Sequence, residues 1–301
     1  MGDPAGCGPA ITAAAWRQLR ADPGLSFYVI GAPELYAATV PVREIASPDE
    51  ARGVFADALP VLALSGVPDI RPGEPNADAA PAIIRSIALA TSHALDGLAG
   101  GLVTNPINKA LLYGAGFAYP GHTEYVAHLC AEPHAKPPRP VMMLVGGGLR
   151  VALATIHMPL MDVAKALTVP DLVELGHIVA QAMTRDFGIP APRLAFSGLN
   201  PHAGEDGTIG DEELKIINPA AHALRLAGID ISDARPGDTV FAEALSGAYD
   251  AVIAMTHDQG LIPVKTLDFW GGVNVTLGLP VVRTSPDHGT AYDAAAAGTT
   301  R

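Results

Sequence analysis

The sequence Ala251-Val252-Ile253-Ala254-Met255-Thr256-His257-Asp258-Gln259-Gly260 joins a run of apolar residues to a polar turn. Short apolar runs bounded by turn signals are typical of strands that are buried on both faces. Such strands occur in parallel sheets, and open α/β sheets bind their ligands beyond the carboxyl ends of the strands. A His-Asp pair follows the strand at that point. The stretch therefore predicts an α/β fold with polar chemistry at a strand end.

The same pattern occurs at two other places in the chain. An apolar run over residues 151–155 leads to His157, and a predicted strand over residues 193–197 leads through a short polar loop to His202. If the three strands are parallel, their imidazoles lie along one edge of the sheet. Three His side chains from separate elements can bind a divalent metal ion and leave positions open for a substrate. We therefore expect His157, His202 and His257 to be metal ligands, although one such His alone is more often an ordinary loop residue.

The remaining pattern supports an alternation of strands and helices. Further strands are predicted at residues 27–30, 61–64, 102–104 and 141–145, the last forming either a hairpin or a neighbouring pair with residues 150–155. Helices are predicted at residues 11–19, 83–95, 125–129, 170–187 and 211–226, with a kink at Pro219. The four prolines of residues 131–140 indicate a surface loop or a junction between lobes. This order predicts mostly parallel sheets flanked by helices.

Three cations are expected beside the edge that carries the His residues. Lys109, Lys265 and Arg283 all follow predicted strands. Arg offers a planar fork to phosphate or carboxylate, and Lys offers a mobile point charge. The chain as a whole has a net charge of -12 and a pI of about 5.2, which argues against nucleic acid or an anionic membrane as its partner. Local cations in such a chain suggest a small anionic substrate, and ordinary surface charge is the alternative.

Length and composition set further limits. The 301 residues are 49% apolar, enough for one large domain or two lobes. Two Cys residues make neither a disulfide framework nor a thiolate zinc site, and no membrane-spanning run or secretion signal is found, so a cytoplasmic protein is expected. The loop Gly2-Asp3-Pro4-Ala5-Gly6-Cys7-Gly8-Pro9 lacks the dinucleotide fingerprint GxGxxG. It is either a tight turn or a phosphate cradle.

Several of these segments are shared with a known family. The chain resembles the family of 4-hydroxythreonine-4-phosphate dehydrogenase, which acts in pyridoxal phosphate (vitamin B6, pyridoxine) biosynthesis. The resemblance covers nearly the whole chain, in order. It rests on Gly2-Asp3-Pro4-Ala5-Gly6 with Gly8-Pro9, Asn105-Pro106-Ile107-Asn108-Lys109, Pro120-Gly121-His122-Thr123-Glu124, residues 149–155 with His157, Gly198-Leu199-Asn200-Pro201-His202-Ala203-Gly204-Glu205, and the long segment from His257-Asp258-Gln259-Gly260 to Gly289-Thr290.

The resemblance implies a fold and an assembly. The fold is similar to the isocitrate/isopropylmalate dehydrogenase type, with two α/β lobes and a cleft between them. Residues 1–301 then form one two-lobed catalytic unit, with crossovers near residues 131–140 and in the C-terminal third. The family forms homodimers whose site is completed across the interface. It usually has a strand before the loop at Gly2 and a helical segment after Gly298, and neither is expected in this sequence.

The resemblance also implies site residues and cofactors. It assigns metal ligation to His157, His202 and His257, and substrate binding to His122, Thr123, Lys265, Asn274 and Arg283. Asp238, Asp258 and Lys265 are expected to support the metal ion or to move protons, and the identity of the general base stays open. The expected cofactors are NAD, with NADP as an alternative, and one divalent metal ion per subunit, which is Zn, Mg or Co. The residues that contact NAD are not assigned.

The implied reaction is an oxidation of 4-phosphooxy-L-threonine followed by decarboxylation to 3-amino-2-oxopropyl phosphate. Related substrates are the nearest alternative: threonate or erythronate phosphate, or a cyclic dihydrodiol. Two other classes also fit three His residues at a strand edge. One is a zinc hydrolase that needs no NAD, and the other is a binding protein without catalytic activity.

Overall fold

The architecture is given by a computed structural model, which describes residues 1–300. The strands within these residues are β1 (Val29–Gly31), β2 (Val42–Ile45), β3 (Leu59–Ala63), β4 (Leu102–Val103), β5 (Val141–Gly146), β6 (Leu149–Leu153), β7 (Arg193–Ser197), β8 (Asp230–Arg235), β9 (Ala251–Ala254), β10 (Val273–Leu277) and β11 (Arg283–Pro286). The α-helices are α1 (Gly8–Leu19), α2 (Glu34–Ala37), α3 (Ala51–Val54), α4 (Ala80–Leu95), α5 (Lys109–Gly114), α6 (His122–Leu129), α7 (Leu160–Ala166), α8 (Val169–Arg185), α9 (Asn218–Leu226), α10 (Val240–Leu245), α11 (His257–Leu267) and α12 (Tyr292–Ala297).

The chain divides into two compact units. The first unit contains residues 1–138 together with the segment that begins at Pro280, and the second unit contains residues 139–279. The second unit is thus an insertion between two parts of the first. Strands and helices alternate in both units, and the predicted α/β class with mostly parallel sheets flanked by helices is confirmed.

The first unit is built on short parallel strands. β3 lies between β1 and β2 and pairs in parallel with both, and β4 pairs in parallel with β11. Its core contains the fully buried side chains of Trp16, Tyr36 and Leu59. The indole Nε1 of Trp16 donates a hydrogen bond of 2.8 Å to the carbonyl oxygen of Phe55, which satisfies the one polar atom of that buried ring.

The second unit contains six neighbouring strands in the order β10-β5-β6-β9-β7-β8. β6, β9, β7 and β8 are parallel, whereas β5 and β6 form an antiparallel hairpin and β10 is antiparallel to β5. Parallel neighbours need a crossover, and helices α7 to α10 lie in the connections from β6 to β7, β8 and β9. Alternate residues of β6 belong to two different cores: Ala152 packs with α8 and α9, and Val151 and Leu153 pack with α11. Both faces of the sheet are therefore covered, which explains its continuous apolar strands.

The helix predicted over residues 211–226 changes its geometry just before Pro219, where the sequence predicted a kink. Residues Glu213–Ile217 form a π-helical turn, and Pro219 lies in the first turn of α9, which runs on as an ordinary α-helix. Pro lacks the backbone N–H that an ordinary α-helical turn uses, and helices are commonly distorted at a Pro and at a π-helical turn.

The N-terminal glycine loop is a tightly packed turn. Residues 2–8 are all buried, and the N–H of Cys7 donates to the carbonyl oxygen of Thr290. A Cβ at Gly6 would lie 2.7 Å from that same oxygen, so the close approach of the two segments requires glycine. No helix among residues 1–300 is long and apolar enough to cross a membrane.

Candidate functional site

The predicted metal ligands follow three neighbouring strands of the second unit. β9 lies between β6 and β7, and all three run in the same direction, with Val151 opposite Val252 and Leu194 opposite Ala251. His157 follows β6, His202 follows β7, and His257 is the first residue of α11, directly after β9. The parallel arrangement that the sequence predicted is present. We call this set of three residues the histidine edge.

His157 and His257 come together at this edge. The centroids of their imidazole rings are 5.7 Å apart. Nδ1 of His257 lies 2.8 Å from Oδ1 of Asp258, and a neutral ring with its proton on Nδ1 donates that hydrogen bond. The lone pair of Nε2 then points away from Asp258 and is available to a metal ion. A carboxylate that orients a His ligand in this way is a common support of metal sites.

His202 lies on a separate turn of residues 201–207, and its side chain is exposed. Among residues 1–300, no three His, Cys, Asp or Glu side chains lie close enough together to hold a metal ion. The donor chemistry nevertheless fits a divalent cation, because the imidazoles of His157 and His257 lie close together and one of them is oriented by a carboxylate. Asp238 is exposed in the turn between β8 and α10.

Lys265 does not lie beside the histidine edge. The segment after His257, interpreted from the sequence as a polar turn, is the helix α11, which contains Gly260 and Pro263. The helix begins at the edge and carries Lys265 roughly 12 Å away along its axis. The ammonium group of Lys265 lies 6.0 Å from the ring centroid of Phe269.

Asn274 lies at the same distant end of the second unit. It pairs with Leu144 of β5, which in turn pairs with Val151 of β6. Val151 lies two residues before the carboxyl end of β6, so Asn274 is set back about 7 Å from that end along the strands. Its side-chain Oδ1 is buried and has no hydrogen-bond partner among the described residues. The second unit therefore holds the predicted site residues in two groups, one at each end of its sheet.

The first unit contains a second cluster, which we call the cation site: Lys109, His122, Thr123 and Arg283. Arg283 on β11 is 3% exposed. Its Nε and Nη2 donate hydrogen bonds of 3.1 and 2.6 Å to Oγ1 of Thr104, and its Nη1 donates one of 3.4 Å to Oγ1 of Thr123. Burial lowers the pKa of Arg283 to about 10, and the nearby carboxylate of Glu124 opposes that shift. The guanidinium therefore remains charged at neutral pH.

His122 is neutral in this cluster. The ring is half-buried, but its Nε2 is fully buried and has no hydrogen-bond partner within residues 1–300. Burial, followed by the positive charges of Arg283 and Lys109, lowers the pKa of His122 to about 3. The Nζ of Lys109 lies 3.4 Å from the position that a Cβ of Gly121 would occupy, at the start of α6. A neutral imidazole with an unused buried nitrogen can give a hydrogen bond to an anion.

Sequence reasoning missed two residues that organise the histidine edge. Gln259 joins β7 to β9: its Oε1 accepts from Oγ of Ser197 and from the N–H of Met255, and its Nε2 donates to the carbonyl oxygen of Gly198. The other is Glu213, a buried carboxylate beside the turn of His202. The only signal for Gln259 was its position two residues after His257. Glu213 gave no signal, because its neighbours Glu212 and Leu214 suggest an ordinary helix surface.

Comparisons with known proteins agree with the proposed family. The family model described as "Pyridoxal phosphate biosynthetic protein PdxA" matches residues 26–301. The 4-hydroxythreonine-4-phosphate dehydrogenase of Caulobacter vibrioides is 52% identical over 304 residues, covering 100% of this chain and 91% of that protein. The protein of the same name from Xanthobacter autotrophicus is 49% identical, with coverages of 99% and 87%.

Solved structures give the same result. A crystal structure of 4-hydroxythreonine-4-phosphate dehydrogenase from Klebsiella pneumoniae matches with a TM-score of 0.88 and 40% identity, covering 100% of this chain and 93% of that one. A terephthalate 1,2-cis-dihydrodiol dehydrogenase from Burkholderia xenovorans matches less well, with a TM-score of 0.67 and 26% identity over 99% and 90% of the two chains. The predicted family is confirmed: the chain belongs to the PdxA family, an enzyme family in which these curated relatives are named 4-hydroxythreonine-4-phosphate dehydrogenase.

Proposed function

We propose that this chain is a homodimeric dehydrogenase that oxidises 4-phosphooxy-L-threonine with NAD and a divalent metal ion. The oxidised acid then loses carbon dioxide and becomes 3-amino-2-oxopropyl phosphate. The observation that carries the proposal is the His157–His257 pair, with His257 oriented by Asp258. The names and high identities of the relatives support the substrate.

The bound cofactors would supply Lewis acidity at the hydroxyl of the substrate and a hydride acceptor. His157, His202 and His257 would hold the metal ion as neutral imidazoles, so that it keeps its full positive charge. Asp258 fixes the tautomer of His257 by accepting a hydrogen bond from its Nδ1–H. Lys265 and Asp238 are the proposed groups that give and take protons.

The cation site would bind an acidic group of the substrate. Arg283 is held at one side by Thr104, which leaves Nη1 directed toward Thr123 at the start of α6. Lys109 adds charge, and the neutral ring of His122 adds a buried nitrogen without a competing partner. Charge-assisted hydrogen bonds from a buried Arg are strong, because water does not compete for the anion.

A homodimer with a shared site would account for the two groups of predicted residues in the second unit. Exposed apolar side chains flank both groups. Leu160 and Met161 lie just after His157, and Phe269 and Trp270 lie just after Lys265, with exposed fractions between 65% and 81%. Large apolar side chains left exposed near functional residues are typical of surfaces that another chain covers. A second copy would bring Lys265 and Asn274 of one chain toward the histidine edge of the other.

The direct test is NADH formation from 4-phosphooxy-L-threonine, measured by absorbance before and after chelation of the metal ion. We expect NADH formation that chelation abolishes and added Zn²⁺, Co²⁺ or Mg²⁺ restores. Threonate 4-phosphate and a cyclic dihydrodiol are assayed in parallel. A higher kcat/KM for either of these would reassign the substrate. Turnover that needs no NAD would defeat the dehydrogenase proposal in favour of a hydrolase.

A further inference from the structure

The turn that carries His202 has a left-handed backbone. Five consecutive residues, from His202 to Asp206, have φ angles between 43° and 79°, and only Gly204 among them is glycine. Residues with a Cβ adopt this region at an energetic cost, because the Cβ approaches the following carbonyl oxygen. Such a backbone persists only where surrounding contacts determine it.

One buried carboxylate supplies those contacts. Glu213 is 1% exposed and begins the π-helical turn Glu213–Ile217. Its Oε1 accepts hydrogen bonds of 2.7 Å from the backbone N–H groups of Leu199 and Asn200, at the entrance to the turn. The backbone of Gly204 lies against the same carboxylate, since a Cβ there would be 2.7 Å from Oε2. Glu213 therefore contacts the chain on both sides of His202.

The hydrogen-bonding groups around Glu213 are all donors. Its Oε2 accepts a hydrogen bond of 2.9 Å from Nδ2 of Asn200, which also donates one of 2.7 Å to Oε2 of Glu212. The bond to Glu212 fixes the orientation of the Asn200 amide, because a flipped amide would turn its oxygen toward that carboxylate. A carboxylate at position 213 satisfies all these donors, whereas an amide of the same size leaves one donor facing another.

We propose that Glu213 is a positioning residue for His202: it holds the left-handed turn in the conformation that presents this imidazole to the metal ion. The side chain of His202 is exposed, so it is not fixed by packing of its own. Its position depends on the backbone of the turn, and the turn depends on Glu213. The inference rests on the proposed metal site.

The test compares metal binding by the wild-type protein and by Glu213→Gln. Affinity is measured by competition with a chelator for Zn²⁺, and the visible spectrum of the Co²⁺ form reports the ligand set. We expect Glu213→Gln to bind Zn²⁺ about 10 to 100 times more weakly, the usual effect of losing a residue that supports a ligand. The Co²⁺ spectrum should change toward that of His202→Ala.

The matched control is Glu212→Gln, the same chemical change one position away, on a side chain that accepts a hydrogen bond from the Asn200 amide and none from the backbone at residues 199 and 200. Its affinity should stay within about threefold of wild type. A double-mutant cycle excludes a general effect on folding: in a His202→Ala background, Glu213→Gln should no longer weaken binding. An equal loss in both backgrounds, or wild-type affinity in Glu213→Gln, overturns the inference.

A wild-type protein that binds no metal ion would defeat both the proposed metal site and this inference. A wild-type protein that binds Zn²⁺ as tightly as Glu213→Gln does would defeat this inference alone. If Glu213→Gln does not fold, the double variant Glu212→Gln with Glu213→Gln is measured instead. In that double variant the Asn200 amide can flip, so that its Oδ1 accepts hydrogen bonds from both new glutamine amides. The turn should then form again, and the double variant should bind Zn²⁺ more tightly than His202→Ala does. Binding as weak as that of His202→Ala would overturn the inference.

Discussion

The histidine edge and the cation site are built in opposite ways. Arg283 of the cation site is buried in the first unit, where it is held by the hydroxyl groups of Thr104 and Thr123. The side chains of the histidine edge are exposed or half-buried, and hydrogen bonds to Asp258, Gln259 and Glu213 hold them or the loops that carry them. The first cluster has its polar contacts around one buried cation, whereas the second depends on a chain of polar contacts near the surface. Substitutions in the cation site and in the histidine edge should therefore have different effects.

The largest effect is expected at the histidine edge. His257→Ala removes one of the paired imidazoles, so the metal ion should be lost and kcat should fall roughly 1,000-fold, equivalent to several kcal/mol of transition-state stabilisation. Because the side chain is partly exposed, the melting temperature of the metal-free protein should hardly change. Activity and metal content are measured on the same sample. Full activity without bound metal would contradict the assignment.

Complementation tests whether two chains share the histidine edge. His202→Ala and His257→Ala are each expected to be inactive, and they are mixed, unfolded and refolded together. If the site takes His202 from one chain and the His157–His257 pair from the other, half the dimers contain one intact site. About a quarter of the wild-type activity should then return. No recovery from a mixture shown to contain heterodimers would place all three ligands in one chain.

The cation site should respond to a change of geometry at constant charge. Arg283→Lys keeps the positive charge but loses the planar guanidinium group, which donates hydrogen bonds to Thr104 and to Thr123. We expect KM for the phosphorylated substrate to rise about 10 to 100-fold, with unchanged Zn²⁺ affinity, because each lost charged hydrogen bond costs about 1.5–3 kcal/mol. Steady-state kinetics and chelator competition measure the two quantities. A parallel loss of metal affinity would show that the two clusters are not independent.

The half-buried ring of His122, with its fully buried Nε2, predicts a pH dependence of stability. In the unfolded chain it binds a proton below about pH 6.5, whereas in the folded protein its lowered pKa of about 3 keeps it neutral. The unfolded state therefore binds more protons between these values, and the free energy of unfolding should fall by up to about 1.4 kcal/mol per pH unit as the pH drops below 6.5. His122→Gln should flatten this slope in denaturant titrations, and the exposed His222→Gln should leave it unchanged. Equal slopes in all three proteins would rule out the burial effect.

The smallest effect is expected in the turn of His202. Ala203 has a φ angle of 53°, and Ala203→Gly removes the Cβ that makes this conformation unfavourable. After the entropy of glycine in the unfolded chain is subtracted, a net gain of about 0.5 kcal/mol remains. The same change within helix α9, Ala223→Gly, should cost about 1 kcal/mol. Thermal unfolding of both variants gives the comparison, and destabilisation by Ala203→Gly would show that the methyl group contributes packing that outweighs the strain.

The sequence predicted what periodicity encodes. The apolar runs before His157 and His257 were long enough to indicate buried strands of a mostly parallel sheet. Sequence periodicity could not predict the helix α11, because Gly260 and Pro263 are poor helix formers. Gly260 is needed there for close packing, since a Cβ would press against the side chains of Leu153 and Val151. The misplacement of Lys265 followed directly from that missed helix.

The support of the histidine edge was beyond sequence reasoning for a different reason. A series of non-glycine residues with positive φ is disfavoured locally, so no local rule predicts the turn at His202. Its cause is Glu213, whose burial depends on three donors that only the folded chain brings together. Motif resemblance named His202 as a ligand. The forces that hold it there became visible only in the structure.

The insertion of the second unit into the first has a consequence for biosynthesis. Residues 139–279 form a compact unit with six paired strands, and they can fold as soon as they leave the ribosome, because proteins fold domain by domain during synthesis. The first unit cannot be completed then, since β4 still lacks its partner β11, and Thr104 must wait for Arg283. A ribosome that stalls before residue 280 would therefore release a chain with the histidine edge in place and no functional anion site. Such a fragment would expose the unpaired edge of β4, which marks it for chaperones or proteolysis.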